Sequence, residues 1–569
     1  MKIYTSPHAP VPVRNESIYT NLAVTRFDDF APEQPAFIDA ASGYTISRAQ
    51  WRTLSLQFAW GVRHELPRLG GARLERGDVA MVFSPNSIAW PVVLFGGLAA
   101  ALRMTLANSA YTPRELAHQY TDSGARLVFA HPALVPAVLE MFRGLDVDHT
   151  AARQQIVVMD WPAPDPALKD YLSVHDLLGK GQLAQEEKFP GELANETALL
   201  CYSSGTTGKP KGVMTTHRNL TAQLAMVNVS YPSLNEPNPV MLGALPFYHI
   251  YGVVKLLHFP FTRGMPVVIM QKFDPVDACR WIEKYKVTQM LVVPPMCLLF
   301  THHPAVGKYN MSTLRALMSG AAPLGAPLVK ALHERLKRAG ADVVIIQGYG
   351  LTETSPASHI LPAADYIRKV GSIGPLLPNL EARLVIEDVQ EAGPGEPGEL
   401  WLRGPTIMKG YLNNEEATTN SITPDGWFKT GDVAIVDEEG YYAIVDRRKE
   451  LIKYKGFQVP PAELESVLLQ HPDIVDVGVV GVTDEAEATE LPRAYVVHKT
   501  GLKADEVPIF ASAVQEWIKP RVARHKYLRG GVVVIEAIPK SAAGKILRRQ
   551  LRDRAKAEFE SAKATKAKL

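Results

Sequence analysis

Short apolar runs rich in β-branched residues alternate with longer segments of helical periodicity through the first 350 residues of the chain. The strand-like runs are residues 78–83, 126–130, 266–270, 289–293 and 342–346, and the helical patterns are about 87–102, 134–143 and 327–338. This alternation is typical of βαβ units, in which helices cover both faces of a parallel sheet. The apolar segment 88–102 contains Pro91 and is too short for a comfortable membrane span, so it predicts a buried helix.

After about residue 375 the pattern changes to short strands separated by turns. Runs at 382–386, 399–403 and 441–445, with a Gly/Pro-rich turn at 393–398, predict a small antiparallel, β-barrel-like unit over about 376–446. Beyond it, a helix is predicted at 461–469, a strand at 475–480 and a basic helix at 544–558. We therefore expect an α/β protein with an N-terminal domain over 1–446, built of parallel-sheet lobes and the β unit. A smaller α+β C-terminal domain is expected over 447–569.

Composition narrows the class of protein. A chain of 569 residues exceeds what one hydrophobic core usually supports, and 46% apolar with 21% charged residues is typical of globular domains. The 61 basic and 59 acidic residues leave a formal charge of +2, which argues against a nucleic-acid partner. Cys201, Cys279 and Cys297 form no CxxC pair, and the N-terminus has no secretory pattern, so a reducing compartment is expected.

The strongest candidate for chemistry is the decapeptide SSGTTGKPKG at residues 203–212, which directly follows the strand-like run 198–202. Its glycines allow consecutive backbone N–H groups to face one anion, and its hydroxyls and lysines add donors and positive charge. A P-loop of the GxxxxGK[ST] type is excluded, because two residues separate Gly205 from Gly208 and Pro210 follows Lys209. The sequence therefore predicts a phosphate site of another kind, with a functionless surface turn as the alternative.

Two further segments carry candidate ligand-binding residues. The segment QGYGLTE at 347–353 follows a predicted strand, and ligands of α/β proteins bind at such carboxyl ends. Tyr349 offers an aromatic plane, Thr352 a hydroxyl and Glu353 a hard oxygen for a divalent cation, although a simple strand-to-loop turn is an equal alternative. Asp432 in WFKTGD suits a ribose diol, and the basic stretch 446–456 places lysines toward phosphates or, alternatively, forms a solvated face.

Together these segments resemble the adenylate-forming superfamily, and most of all the 4-coumarate:CoA ligases and related acyl-CoA synthetases and luciferases. The resemblance extends from NSAYT at 108–112 through LPFYHIY at 245–251 to IPKSAAGK at 538–545. It implies a two-step reaction with ATP, Mg²⁺ and coenzyme A. A carboxylate and ATP give acyl-AMP and pyrophosphate, and a thiol then displaces AMP to form a thioester.

The resemblance also implies roles for individual residues. Lys545 is expected to contact the acyl carboxylate and α-phosphate from a mobile C-terminal domain that rotates about Lys449. His249 is expected to gate the pocket, although without the resemblance a single histidine in this motif is more often a core residue. Lys453 is expected on the opposite face of that domain for the thiol step. Thr352 is expected near the α-phosphate, Tyr349 on adenine, Asp432 with Arg447 on ribose, and Glu353 on magnesium. The remaining expected nucleotide-binding residues are Ser203, Ser204, Gly205, Thr206, Thr207, Gly208, Lys211, Gln347 and Gly348, and those for coenzyme A are Lys272, Lys455 and Gly456.

The identity of the acid is less constrained. The positions that match the family's acyl pocket are Ile250, Tyr251, Val254, Pro295, Met296, Gly320, Ala321, Gly348 and Gly350. This apolar slot predicts an aryl, phenylpropanoid or medium-chain acid, with a fatty acid as the alternative. Tyr251 either binds a substrate hydroxyl or donates its hydroxyl to the backbone.

Three alternatives to a free-standing ligase share these motifs: a luciferase-like oxygenase, a carrier-loading adenylation protein and a non-catalytic nucleotide or acyl sensor. The intact set Lys211, Glu353, Asp432, Arg447 and Lys545 argues against the sensor. The final residues Ala567, Lys568 and Leu569 have the form of a peroxisomal address, so a peroxisomal location with an import receptor as partner is expected, and otherwise a cytoplasmic one.

Overall fold

The computed structural model describes residues 2–203, 210–231, 237–393, 395–448, 450–454, 457–484, 489–541 and 544–566, without the side chains of residues 458 and 559–566. The strands in chain order are β1 Tyr4–Thr5, β2 Pro35–Asp39, β3 Thr45–Ser47, β4 Val79–Phe83, β5 Arg103–Ala107, β6 Ala125–Ala130, β7 Ile156–Val158, β8 Leu172–Ser173, β9 Thr197–Ser203, β10 Lys211–Thr216, β11 Met241–Gly243, β12 Val267–Ile269, β13 Gln289–Val292, β14 Ala316–Ser319, β15 Val344–Gly350, β16 Ala357–Ile360, β17 Glu381–Ile386, β18 Gln390–Glu391, β19 Gly398–Arg403, β20 Phe428–Val436, β21 Tyr442–Arg447, β22 Ile452–Tyr454, β23 Phe457–Val459, β24 Ile474–Asp484, β25 Thr489–His498 and β26 Val532–Val534.

The α-helices are α1 Ile18–Thr20, α2 Arg48–Trp60, α3 Leu66–Arg68, α4 Trp90–Ala99, α5 Pro113–Ser123, α6 Val135–Gly144, α7 His149–Gln154, α8 Val174–Leu177, α9 His217–Ser230, α10 Ile250–Gly252, α11 Pro275–Tyr285, α12 Pro294–His302, α13 Ala326–Arg338, α14 Glu415–Ser421, α15 Pro461–Leu468, α16 Val507–Ile518 and α17 Arg548–Lys566. Short 3₁₀ turns lie at Phe27–Asp29, Pro132–Leu134, Pro166–Leu168, Gly191–Asn195, Pro260–Arg263, Pro304–Gly307, Thr352–Thr354, Ala363–Asp365, Lys519–Arg521 and Arg524–Lys526. Segments with π-helical hydrogen bonding are Asn21–Thr25, Gly61–Glu65 and Val253–His258.

Local sequence accounts for where several of these helices begin. Thr112 and Glu115 form a capping box at the start of α5, and Thr216 and Asn219 form one at the start of α9. Every residue of α4 is buried, which confirms the buried helix that the apolar segment predicted. Among the described residues, no helix combines the length and the apolar character needed to cross a membrane.

Two large sheets form the α/β part. One has the strand order β10-β9-β5-β4-β6-β7-β8 and the other β16-β15-β14-β13-β11-β12-β2-β3. Their interior pairs are parallel, as predicted, whereas β10 on β9, β16 on β15 and β3 on β2 are antiparallel edges. The connections 204–210 and 351–356 are too short for the crossover that a parallel pair needs, so the chain folds back on the preceding strand.

The third sheet is the predicted antiparallel β unit. Its strand order is β1-β17-β19-β20-β21 with β18 beside β17, and each of these pairs is antiparallel. The N-terminal strand β1 extends this sheet, which the sequence pattern did not predict. The register places Asp432 of β20 directly opposite Arg447 of β21, so two distant motifs meet in one strand pair.

The C-terminal segment is α+β. It contains the hairpin β22-β23, the sheet β24-β25-β26 and the helices α15 to α17. Its apolar cluster begins at Ile452, whereas β21 of the preceding sheet ends at Arg447. The predicted basic helix begins at Arg548 instead of 544, because Lys540 and Ile546 first pair as an antiparallel bridge. The domain boundary at 447 stays a prediction.

Candidate active site

A cavity of about 1560 Å³ opens between the two large sheets, the antiparallel sheet and the C-terminal segment. The carboxyl ends of β9, β14 and β15 contribute Ser203, Ser319 and Gly350 to its wall, which is where ligands bind in α/β sheets. The predicted site residues that line this cavity are Ser203, Lys211, His249, Ile250, Tyr251, Gly320, Ala321, Gln347, Gly348, Tyr349, Gly350, Thr352, Glu353, Arg447, Lys453 and Lys545. Motifs spread over more than 340 positions thus border one space.

Other predicted residues lie elsewhere or outside the described part. Val254 is fully buried in the main core and Met296 is 5% exposed, so neither lines the cavity. Lys272 is exposed and away from it. The assignment of Val254 and Met296 to the acyl pocket stays a prediction. The predicted residues outside the described part are Ser204, Gly205, Thr206, Thr207, Gly208, Lys449, Lys455 and Gly456.

Tyr349, Asp432 and Arg447 form a connected group at one side of the cavity. The Tyr349 hydroxyl donates to Oδ2 of Asp432 at 2.6 Å, and Nε of Arg447 lies 3.2 Å from Oδ1. Asp432 is 4% exposed and lies behind Tyr349. Burial raises the pKa of the Asp432 carboxyl, while Arg447 and the tyrosine hydrogen bond act to lower it. Each carboxylate oxygen keeps a second lone pair for a ligand hydroxyl.

Tyr349 lies between two glycines, Gly348 and Gly350. A Cβ on Gly350 would lie 2.0 Å from the backbone oxygen of Pro356, so this glycine is required by the turn back into β16. Residues Gln347–Gly350, which the sequence pattern placed just after a strand, belong to β15, since Gly348 pairs with Ile360. The strand thus holds the Tyr349 ring at the cavity wall more rigidly than a loop does.

Glu353 occupies the place where the phosphate loop meets β15. Its Oε1 accepts hydrogen bonds from the hydroxyls of Ser203 at 2.9 Å and Tyr411 at 3.0 Å. The Lys211 ammonium lies 4.7 Å from the centre of the Tyr411 ring. A single buried carboxylate beside a lysine fits magnesium that is bound mainly through phosphate oxygens, because Mg²⁺ keeps few protein ligands in such sites. The described residues contain no cluster of three or more acidic, histidine or cysteine side chains that could hold a metal ion.

Lys545 enters the cavity from the C-terminal segment. The preceding Gly544 has φ +78°, and a Cβ there would lie 3.1 Å from Val293 and 3.2 Å from Pro295, at the start of α12. The turn that carries Lys545 is therefore docked against the α/β part. Burial, followed by the charge of Arg447, lowers the pKa of the Lys545 ammonium to about 8.

His249 lies on the cavity wall and also has a structural role. Its Nδ1 accepts the backbone N–H of Tyr251 at 3.2 Å and so caps α10. Burial, followed by the charge of Lys545, lowers the pKa of the imidazole to about 4, so the ring is neutral at pH 7.

Lys453 borders the same cavity with an exposed side chain. Its backbone is held by β25: the N–H donates to Oε2 of Glu490 at 2.8 Å, and the Thr489 hydroxyl donates to the carbonyl at 2.9 Å. The sequence placed Lys453 and Lys545 on opposite faces of the C-terminal domain, whereas the structure brings both to one cavity. Their separation into two half-reactions stays a prediction.

The deeper part of the cavity is apolar. The Tyr251 hydroxyl donates to the backbone oxygen of Met318 at 3.0 Å, which is the second of the two roles considered for it. A Cβ on Gly320 would lie 3.1 Å from the Tyr251 ring, so glycine at this position leaves the space that the ring occupies. Apolar lining residues here are Val227, Tyr231, Met241, Ile250, Phe259, Leu291 and Met318.

Sequence reasoning missed Tyr411 and Lys255, which both line the cavity. A backbone bridge between Val213 and Tyr411 positions Tyr411 beside Glu353. This pairing is long-range in sequence and has no local sequence signal. Lys255 had a signal, because it interrupts the apolar run 252–257.

Comparison with known proteins decides the family. The model of the AMP-binding enzyme family matches residues 26–412, and that of the AMP-binding enzyme C-terminal domain matches residues 463–545. The chain belongs to the AMP-binding enzyme family.

Its relatives are CoA ligases. Probable 4-coumarate–CoA ligase 1 of Dictyostelium discoideum is 38% identical over 85% of this chain and 87% of its own length. Peroxisomal OPC-8:0-CoA ligase 1 of Arabidopsis thaliana is 35% identical over 91% and 90%. The o-succinylbenzoate CoA synthetase of Bacillus subtilis in complex with its acyl-adenylate has a TM-score of 0.76 at 27% identity, covering 94% of this chain and 98% of that one. This AMP-binding enzyme is an AMP-forming acid–thiol ligase that uses ATP, Mg²⁺ and coenzyme A.

Proposed function

We propose that this ligase activates an aryl, phenylpropanoid or medium-chain carboxylic acid as its acyl-AMP and then forms the acyl-CoA thioester. The proposal rests on one observation: the two ends of the cavity differ in polarity. Lysine, arginine and carboxylate groups line one end, apolar side chains line the other, and Lys545 lies with His249 on the wall. An acid with an apolar body fits this arrangement, with its carboxyl group beside Lys545 and its body among the apolar residues.

The first half-reaction needs positive charge, because a carboxylate approaches a polyanionic phosphate chain. In the proposal Lys545 supplies charge at the carboxylate and α-phosphate, and Lys211 with the loop after Ser203 holds the leaving pyrophosphate. Tyr349 contacts adenine, and Asp432 with Arg447 holds the ribose. Glu353 would hold magnesium, which would supply further neutralisation of phosphate charge.

The second half-reaction is proposed to follow rotation of the C-terminal domain about Lys449, with the domain boundary at residue 447. Lys453, Lys455 and Gly456 would then adjoin the thiol site, and Lys272 the phosphates of coenzyme A. Such a motion would withdraw Lys545 once its charge is no longer needed, which is a reason to mount it on a mobile domain. The exposed side chain of Lys453 supports a role that depends on this rearrangement.

For location, we propose that Ala567, Lys568 and Leu569 act as a peroxisomal address read by an import receptor. The peroxisomal name of the Arabidopsis relative supports this. A fluorescent fusion that keeps the tripeptide at its C-terminus should label peroxisomes, and Leu569→Asp should leave it in the cytosol. Cytosolic signal from both fusions would contradict the address.

The function is tested with two assays on the full chain. ATP–pyrophosphate exchange reports adenylation alone, and AMP release with coenzyme A reports the whole cycle, each over aryl, cinnamic and fatty acids of graded length. We expect aryl or medium-chain acids to give the highest kcat/KM, and Lys545→Ala to abolish exchange. Lys330→Ala, an exposed lysine on α13, is the matched control. Exchange that survives Lys545→Ala across the panel would overturn the catalytic assignment.

A further inference from the structure

One lysine in the cavity wall has no role in the reaction described so far. Lys255 is 6% exposed, and its ammonium has no hydrogen-bond partner among the described residues. Lysine is almost never buried without a partner, since an unpaired buried charge is costly. Burial lowers the pKa of the Lys255 ammonium to about 7. An anionic group of a ligand in the cavity would offset this cost.

The surroundings of Lys255 are apolar. The nearest aromatic ring is that of Phe259, whose centre lies 5.6 Å from the ammonium. Two tyrosines border the same end of the cavity, but the Tyr231 hydroxyl donates to Gln289 and the Tyr251 hydroxyl to the backbone of Met318. Among the described residues that line the cavity, the Lys255 ammonium and the Ser319 hydroxyl are the buried polar groups without a hydrogen-bond partner, and of these two only Lys255 carries a charge.

The position of Lys255 sets the geometry of a ligand. It follows His249 by six residues along the continuous helical segment formed by α10 and Val253–His258. At the α-helical rise of 1.5 Å per residue the two backbone positions are at most about 9 Å apart along the helix axis, since part of this segment is π-helical. His249 marks the reacting end of the cavity beside Lys545, and Lys255 marks the apolar end. A bound acid therefore runs from the first toward the second.

We propose that Lys255 is a specificity residue that binds a second carboxylate, at the end of the acid remote from the carboxyl group that is adenylated. The inference rests on the proposed function and narrows its substrate class to dicarboxylic acids, either aliphatic or with an aryl body. At about 1.1 Å per bond of extended chain, a separation of about 9 Å corresponds to roughly eight bonds. Suberic acid and 4-carboxycinnamic acid have suitable length.

A second carboxylate accounts for the lysine better than a neutral oxygen. A hydroxyl or ketone would accept one hydrogen bond and leave the ammonium charge uncompensated in an apolar wall. A carboxylate both accepts hydrogen bonds and neutralises the charge, and charge-assisted hydrogen bonds are about twice as strong as neutral ones. Ile250 and Tyr251, which line the cavity between these two positions, would contact the body of the acid.

The test compares 4-carboxycinnamic acid with 4-nitrocinnamic acid, which has nearly the same shape but no distal charge. ATP–pyrophosphate exchange gives the ratio of kcat/KM for the two acids in the wild-type chain, in Lys255→Met and in Lys330→Met. Methionine keeps the approximate length of lysine without its charge, and Lys330 is the exposed control. We expect the ratio to favour the diacid in the wild type and in Lys330→Met, and to fall about tenfold to a hundredfold in Lys255→Met.

Binding without turnover separates this inference from the proposed function. Calorimetric titration of 4-carboxycinnamic acid into each protein should show at least tenfold weaker binding by Lys255→Met, whether or not exchange is detected. An exchange ratio and a Kd that are both unaffected by Lys255→Met would overturn the assignment of Lys255. Absence of exchange with every acid, combined with Lys255-dependent binding, would support the diacid site and refute the proposed activity.

Discussion

The docked position of Lys545 leads to a prediction at its neighbour, Gly544→Ala. The new Cβ would lie 3.1 Å from Val293 and 3.2 Å from Pro295, closer than ordinary van der Waals contact. Relieving such an overlap costs about 1–2 kcal/mol. Because the two contacts belong to the α/β part, this cost applies to the docked arrangement that places Lys545 in the cavity.

A penalty of this size lowers the population of the docked state, and hence the adenylation rate, by a factor of about 5–30. The assay is ATP–pyrophosphate exchange at saturating acid, with thioester formation from supplied acyl-AMP measured in parallel. We expect the first to fall and the second to stay within about twofold, since in the proposed rotation the thiol step does not need the docked arrangement.

Gly501→Ala is the matched control. Gly501 has φ +76°, close to the +78° of Gly544, but nothing lies within 4 Å of a Cβ built there. It therefore introduces the same backbone strain, about 1–2 kcal/mol, without an interdomain contact. Equal losses in the two variants, or equal losses in both half-reactions of Gly544→Ala, would refute the docking argument.

Three other perturbations have expected outcomes. The Lys545 ammonium has a pKa of about 8, so kcat/KM for adenylation should fall as the pH rises through about 8 and the charge is lost. His249 has a pKa of about 4 and should therefore cause no change in kcat/KM above pH 5. A pH profile that stays flat up to pH 9.5 would contradict the role of the Lys545 charge. Tyr411→Phe removes one hydrogen bond to Glu353 and should raise KM for Mg–ATP about twofold to tenfold in steady-state kinetics. An unchanged KM would contradict a role for the Tyr411–Glu353 hydrogen bond in binding Mg–ATP. Lys255→Met removes a buried, unpaired ammonium and should increase the free energy of unfolding at pH 7 by about 1–3 kcal/mol in urea titrations. The pKa of Lys255 is about 7 in the folded state against 10.5 in the unfolded state, so the wild type should become more stable as the pH rises from 7 to 10.5, and the variant should not. The same dependence of the unfolding free energy on pH in both proteins would contradict the burial cost.

Local sequence signals predicted many of the elements, and the family resemblance named 16 of the residues that line the cavity. The apolar run before residue 203 and the run before residue 347 each proved to be a strand whose carboxyl end faces the cavity. The texture change after 375 correctly marked the antiparallel sheet. These signals are local, since apolar periodicity and turn residues act over a few positions.

What escaped prediction depends on long-range pairing. The partner of Glu353, Tyr411, is placed by a bridge to Val213 that joins residues about 200 positions apart in sequence. Strand β1 joins a sheet whose other strands begin at Glu381, and no nearby residue indicates that pairing. The role of Tyr251 was open in sequence, because only the fold shows the carbonyl of Met318 within reach of its hydroxyl.

The central claim is that the chain transfers an acyl group through an acyl-AMP, and an isotope measurement tests it most directly. The acid is labelled with ¹⁸O in both carboxylate oxygens and incubated with the enzyme, ATP, Mg²⁺ and coenzyme A, and the products are analysed by mass spectrometry. The bond from carboxylate oxygen to the α-phosphorus survives thiol attack, so one ¹⁸O should appear in AMP and one should remain in the thioester. Label in inorganic phosphate together with ADP, or unlabelled AMP, would contradict the account.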